Sequence, residues 1–263
     1  MLSHNIFSTI FVFPILNILV AFYKGLLSLG VPGAFGFAII LMTASIRLLF
    51  HPFFRQQLET SKKMQDLKPH LDKLSQKHKS DPKKLQQEQM RLYQEAGINP
   101  AAGCLFMIIQ LPIFYALYNT FSLFLLHGSG KEVIQQINSV LYTPLLHIQK
   151  IDPWFFGINL AITPEKGGLW YYAVPVITGI LQYFSVPSNP APQPEPVSAK
   201  KGKKEQDKKQ DNGDFQQAMN MQMKFIFPFM IGLFSYRLPV GMSLYWNIIS
   251  LFTIMQYQRI NKK

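Results

Sequence analysis

The chain has 263 residues, of which 48% are hydrophobic and 15% charged, and 26 Lys+Arg against 14 Asp+Glu leave a formal net charge of +12. That length allows one or two domains, and the apolar content excludes a chain that stays disordered throughout. The single cysteine, Cys104, excludes an intrachain disulfide.

The charges are segregated. Several apolar stretches, each of about 17 to 25 residues and long enough for a bilayer, alternate with hydrophilic stretches rich in lysine and glutamine. A basic balance can signal nucleic acid, but here the positive residues flank apolar stretches, which the positive-inside bias explains more simply. An attraction to ribosomal RNA is compatible with the same pattern.

Residues 6 to 28 are apolar except for Asn17 and Lys24, and suit either a span or a helix lying in the interface. No lipobox or small-residue cleavage site follows them, so no removable signal peptide is expected. Spans are predicted at Ala34 to Phe50, Ala101 to Leu126, Leu169 to Val186, and in a closing hairpin of Phe225 to Tyr236 and Met242 to Tyr257. Lysine and arginine crowd the segment from Pro52 to Pro100, the segment from Ser188 to Lys224, and the tail Arg259, Lys262, Lys263. The connection from His127 to Gly168 holds only Lys131, Lys150 and Lys166. Five spans place the three basic regions on the cytoplasmic side and the poor one outside, and the residues before Ala34 are then external, which fits residues 1 to 32 as an external interfacial helix or an uncleaved signal-anchor entering from inside, the first being favoured.

Within 53 to 99, Met64, Leu67, Leu71 and Leu74 recur at helical spacing, and Leu85, Leu92, Tyr93 and Ala96 supply a second apolar face, which predicts an antiparallel helical hairpin. Asp81 before Pro82 predicts an N-cap and first helical residue, and Pro69 predicts a kink or restart. The stretch from Pro187 to Gly213 is too rich in proline and lysine to offset its ordering entropy, so 188 to 224 is expected to be a disordered basic loop.

The expected organisation is an N-terminal segment 1–32, a first span 33–52, the hairpin 53–99, a second span 100–126, an external loop 127–168, a third span 169–187, the basic loop 188–224, spans four and five over 225–258, and a cytoplasmic tail 259–263. The fold class is an all-α membrane protein.

Polar residues inside the spans carry the functional reading. Thr43, Arg47 and His51 recur every four residues on the first span, Ser243, Asn247 and Ser250 share a face of the last, Thr178 and Gln182 are four apart on the third, and the second contributes Gln110 near Pro112. Lipid offers these groups no hydrogen bonds, so they should turn inward toward each other, water or a client chain, and stripes on several helices suggest one shared cavity. Arginine at a helix centre costs about 3 kcal/mol on translocon-based scales, so its usual setting is a wet cavity or a functional site. No acidic residue stands in any of the apolar stretches. The plainer readings are that hydroxyls and amides join helices, and that Arg47, about 7 Å before Pro52 along a helix, snorkels to the interface. Pro112, Pro175 and Pro228 read as tolerated kinks, and Trp154, Trp170, Tyr171, Tyr172, Tyr236 and Tyr245 as interfacial anchors. Catalysis is not expected: there is no P-loop, no Gly-x-Ser-x-Gly, no His-Glu-x-x-His and no acid pair in the membrane. Neither inverted repeats nor paired broken helices point to a small-molecule transporter.

Specific motifs then stand in order: Leu-Met-Thr-Ala-Ser-Ile-Arg-Leu-Leu-Phe-His-Pro at 41 to 52, Leu67-Lys68-Pro69, Leu-Tyr-Gln-Glu-Ala-Gly-Ile-Asn-Pro-Ala-Ala-Gly-Cys-Leu at 92 to 105, Gln-Leu-Pro-Ile-Phe-Tyr-Ala-Leu-Tyr at 110 to 118, and Leu-Pro-Val-Gly-Met-Ser-Leu-Tyr-Trp at 238 to 246. In that order and spacing the chain resembles the YidC family of membrane-protein insertases, relatives of the mitochondrial Oxa and chloroplast Alb insertases. The resemblance implies a five-span core around a hydrophilic groove open to the cytoplasm, with Arg47 as the groove arginine and Thr43, Gln110, Thr178, Gln182, Ser243, Asn247 and Ser250 beside it. It implies a bacterial cell membrane protein with a cytoplasmic C-terminus and no cofactor or metal. Nascent membrane proteins would be its clients. The ribosome, the Sec translocon, a targeting-particle receptor and membrane lipid would be its partners, with no sequence-specific nucleic acid. Two departures stand out: Phe106 stands where the family commonly has proline after Gly-Cys-Leu, and this sequence does not contain the large extracytoplasmic domain of Gram-negative members, so a compact form is expected.

Overall fold

The computed structural model describes residues 5–78, 81–98, 101–126, 130–185 and 222–261. It divides into two compact units, Met1–His51 with Ile108–Ser185 and Pro228–Met255, and Pro52–Met107 with Val186–Phe227 and Gln256–Lys263.

The first unit begins with α1, Phe13–Ser28, entered through a wider turn at Ser8–Val12. A proline in its first turn costs no hydrogen bond there. The helix stops because Gly30 takes φ +68°, letting Gly30 N–H reach Leu27 O and Val31 N–H reach Leu26 O, which satisfies two terminal carbonyls. After Gly33, also left-handed at φ +72°, α2 runs over Ala34–Leu49. Leu16, Leu19, Val20 and Tyr23 of α1 and Phe35, Ala38, Ile39 and Met42 of α2 are buried in one core, with the Tyr23 ring edge-on to Phe35. Helix α5, Ala101–Phe121, with a wider turn through Leu126, and α9, Val240–Asn261, add Leu117, Phe121, Phe124 and Tyr245 to it. Tyr245 is therefore a core residue packed on Phe121, where an interfacial anchor was expected, because its helix turns that face toward α5.

The connection from 130 to 172 is an ordered cap. It holds α6, Lys131–Asn138, and a two-stranded hairpin of β1, Trp154–Phe155, and β2, Ile158–Asn159, which adds a little sheet to the expected all-α fold. Asn138 clasps Ile148 in both directions, side-chain amide to carbonyl at 2.9 Å and N–H to Oδ1 at 3.0 Å. The cap grips helix ends through backbone groups. Asn17 donates to Val140 O and accepts from Tyr142 N–H, Tyr23 hydroxyl accepts from Asp152 N–H at 2.8 Å, and Lys24 donates to the carbonyls of Leu145 and His147. The two polar exceptions in the first apolar stretch thus satisfy loop carbonyls. Phe155 fills a notch made by the missing side chains of Gly33 and Gly36: a Cβ on Gly33 would lie 2.9 Å from its ring, and one on Gly36 would overlap it. At the start of α9, Val240 N–H donates to Ile162 O and Gly241 N–H to Leu160 O, so the cap supplies acceptors for amides that a helix start leaves over.

Helix α7, Ala173–Ser185, follows a tight turn at Leu169–Tyr172, and α8 covers Phe227–Arg237. They meet at glycines: Gly179 and Gly232 come so close that an added Cβ on Gly232 would sit 3.3 Å from Pro175 O. Small residues of this kind let helix backbones approach without a hydrophobic driving force. The outward flanks of α7 and α8 are apolar, with Val176, Ile180, Phe184, Phe229 and Leu233 exposed. Among the described residues, one unbroken helix, Ser8–Ser28, is long and apolar enough to cross a membrane by length and composition alone.

The second unit contains the expected hairpin, α3 at His51–Lys77 and α4 at Pro82–Glu95. Asp81 caps α4, its Oδ1 accepting from Lys84 N–H at 3.1 Å. Helix α3 continues through Pro69 without a restart. Met64 and Leu71 on α3 pack with Tyr93 and Ile98, and burial holds the Tyr93 hydroxyl above the ordinary tyrosine pKa. Gly97, at φ +64°, ends α4 and passes Ile98 back into this core through Ile98 N–H to Tyr93 O at 2.8 Å. The Gly-Ile pair of the 92 to 105 motif therefore closes the hairpin. Lys62 donates to Ile260 O at 3.0 Å and Tyr257 hydroxyl to Gln65 Oε1 at 2.7 Å, joining α3 to the end of α9. The expected disordered loop lies outside the described residues as far as 221, and from Gln222 the chain is helical.

Candidate functional site

Helix α2 places Thr43 and Arg47 one turn apart on its buried face because residues four apart share a side. Thr43 donates back to Ile39 O at 2.7 Å, which spends its proton inside its own helix. Arg47 is 8% exposed, and its Nη2 donates to Thr253 Oγ1 at 3.0 Å and Ile249 O at 3.5 Å on α9. His51, the next position of that stripe, is exposed.

Helix α9 carries the polar ladder Ser243, Asn247, Ser250 and Thr253, whose spacing keeps all four near one side. Ser243 Oγ lies 2.7 Å from Ser235 Oγ of α8, and Ser235 reaches Thr178 Oγ1 of α7 at 3.4 Å. About 10 Å further along the helix at 1.5 Å per residue, Ser250 donates to Gln182 Oε1 at 3.1 Å. Beyond it stands the Thr253 contact with Arg47. Thr178, Ser243 and Ser250 are thereby buried and bonded, joining α7, α8 and α9, while Asn247 Oδ1 is buried and meets no protein donor among the described residues. The side chain of Gln110 lies outside the described residues.

The ladder thus brings together Arg47, Thr178, Gln182, Ser243 and Ser250 as pairs with named partners. Two partners were missed. Thr253 continues the α9 stripe one step beyond Ser250 and was legible by extending the count, whereas Ser235, a lone serine beside Tyr236, gave no periodic signal. On the side facing α5, α9 stacks Trp246 on Phe114 at 6.1 Å and lines a small apolar cleft with Leu117, Tyr118, Phe121 and Met242. One wall of α9 is therefore polar and the adjacent one aromatic. Arg237 and Glu165, joined at 3.1 Å, are both well exposed, so their pairing adds little.

Apolar helices joined by buried hydroxyl and amide contacts, with a guanidinium held among them, define an α-helical membrane protein. The model of the 60Kd inner membrane protein family matches residues 26–263, and the chain belongs to that family. It is 32% identical over 254 residues to the membrane protein insertase YidC of Caulobacter vibrioides strain NA1000, covering 95% of this chain and 36% of that one. It is 31% identical over 236 residues to the YidC insertase of Granulibacter bethesdensis, covering 88% and 35%. It is also 29% identical over 265 residues to that of Oceanobacillus iheyensis, covering 99% and 85%. The chain thus spans about a third of the length of the first two relatives and most of the third.

Proposed function

We propose that the protein is a membrane-protein insertase and chaperone of the bacterial cell membrane, acting on nascent membrane proteins alone or with the Sec translocon. The observation that carries this is the nearly buried Arg47 on an apolar helix, set against the polar ladder of α9 in a chain of this family. The relatives' printed name, membrane protein insertase, supports the same reading.

In this reading α2, α5, α7, α8 and α9 are five spans, the basic regions and the C-terminus are cytoplasmic, and the cap is external. Supporting it, the cap contacts the N-terminal ends of α2 and α9 and, through Glu165, the C-terminal end of α8, which are ends that five spans put on one side. Helix α1 serves as the external interfacial helix, its polar atoms turned to the cap. Arg47 attracts acidic groups in the part of a client that must cross. Asn247 offers an acceptor beside it, and Thr43, Gln110, Thr178, Gln182, Ser243 and Ser250 form the polar wall. The client's apolar segment then passes to lipid along the exposed flanks of α7 and α8, driven by hydrophobic transfer without nucleotide hydrolysis. The hairpin receives the client on the cytoplasmic side, where the ribosome and a targeting-particle receptor would meet its basic surface.

The test is insertion of a short, Sec-independent single-span client into proteoliposomes holding this protein alone. Wild type should insert it, and both Arg47→Ala and removal of 53 to 99 should reduce insertion. Failure of the properly folded wild type to insert would point instead to a chaperone that works only beside the translocon.

A further inference from the structure

The turn of the β1–β2 hairpin has two residues, Phe156 and Gly157, at φ +48° and +80°. Positive φ at both central positions is what a two-residue hairpin turn requires, and asparagine or aspartate with glycine normally supplies it. A phenylalanine there holds a conformation that side chains with a Cβ rarely adopt. Its ring is not sheltered in compensation: Phe156 is 78% exposed, and its neighbour Trp154 is 52% exposed. Between them Phe155 enters the Gly33–Gly36 notch of α2, its ring edge-on to that of Phe156 at 4.7 Å.

Phe155 thus fastens the hairpin to α2, and the fastening sets where Phe156 comes to rest. Its ring lies 5.8 Å from that of Phe37, edge-on, on the first turn of the apolar helix α2. Phe37 is about 4.5 Å along the axis from the helix start at 1.5 Å per residue. The exposed ring is therefore continuous with the flank of an apolar helix, at its cap end, beside an exposed tryptophan of the kind that favours the headgroup level.

We propose that the β1–β2 hairpin is a membrane wedge: Phe156 inserts beside α2 into the glycerol and upper acyl region of the outer leaflet, with Trp154 at the headgroup level above it. The occupant of this surface is lipid. The inference rests on the reading of α2 as a span with the cap outside. It assigns the hairpin a role apart from the polar ladder, holding the cap end of α2 at a defined depth.

The test uses the full chain in phosphatidylcholine–phosphatidylglycerol vesicles at low protein density. In a Cys104→Ser background, an environment-sensitive fluorophore is placed on Phe156→Cys, on Leu41→Cys in mid-α2, and on Lys131→Cys in α6. The Phe156 label should emit to the blue of the Lys131 label, be quenched severalfold more by a spin label high on the acyl chain than by one near its end, and resist aqueous iodide. The Leu41 label should be quenched best by the deeper spin label. As a check that does not alter the turn, Trp154 is left as the sole tryptophan by Trp170→Phe and Trp246→Phe, and shallow brominated lipid should quench it. A Phe156 label open to iodide, with unquenched Trp154 and the Leu41 label in lipid, overturns the wedge and leaves the span reading intact. Both labels open to iodide overturn the span reading and the wedge with it. Shielding of Phe156 that disappears on dilution with lipid, without spin-label quenching, assigns the surface to a second copy of the chain and overturns the proposal.

Discussion

Gly36→Ala isolates a single contact. Alanine suits a helix interior better than glycine by about 1 kcal/mol, so on propensity alone the substitution should stabilise α2. In the structure the new methyl overlaps the Phe155 ring, which already fills the space left at Gly33 as well. Overpacking costs about 1–3 kcal/mol, and a methyl that overlaps the ring itself falls in the upper part of that range, about 2–3 kcal/mol. We expect a net loss of about 1–2 kcal/mol, which for a chain of this size lowers the melting temperature by about 2–8 °C. The assay is thermal unfolding in detergent at one scan rate, on wild type, Gly36→Ala, Phe155→Ala and the double variant. Phe155→Ala alone should destabilise by removing the ring from its notch, but in that background Gly36→Ala should be neutral or stabilising, a coupling of at least about 1 kcal/mol. Additive losses, or a Gly36→Ala protein as stable as wild type, would refute the notch as the element that seats the cap.

Arg47→Ala should slow insertion of clients with acidic residues in the translocated part by about tenfold, equivalent to about 1.4 kcal/mol and well inside what a partly screened charge pair supplies, while Arg47→Lys stays within a fewfold of wild type; a client-by-client comparison in proteoliposomes checks this, and equal rates for all clients would remove the electrostatic role. Gly97→Ala should weaken the hairpin by about 1–2 kcal/mol through its left-handed backbone, read as faster amide exchange in 64 to 98, with Gly97→Asn losing less. Lys62→Met with Tyr257→Phe removes the two hydrogen bonds described between α3 and the end of α9, and amide exchange in 256–261 should rise while exchange at the start of α9 stays unchanged.

The helices were legible because their signals are local. Charge segregation separated apolar stretches from the hairpin, Asp81 and Pro82 marked the start of α4, and heptad-like spacing marked the α3–α4 core. Of the two outcomes expected at Pro69, a kink or a restart, the restart did not occur: α3 carries the proline inside one helix. Ile98 was missed because it enters the hairpin core only after Gly97 reverses the chain. The polar positions were readable by spacing on α2, α7 and α9, but spacing cannot say which hydroxyls bond each other, so the Ser235–Ser243–Thr178 chain emerged only from packing. The cap was the least readable part: its bonds to Asn17, Tyr23 and Lys24 join backbone groups more than a hundred residues away, and no periodicity encodes such pairs.

The cap ties α1 and α9 by groups that would lose their hydrogen bonds if it lifted, each loss costing about 1–3 kcal/mol, and it ties α2 by the seating of Phe155 in the glycine notch. At that end the helices behave like the ribs of a fan held by a pin. Farther from the pin their spacing rests on contacts between the helices themselves, such as the close approach of α7 and α8 at Gly179 and Gly232. The Arg47–Thr253 contact lies far along α9 from its pinned start and is one of the bonds that set the spacing of α2 and α9 there.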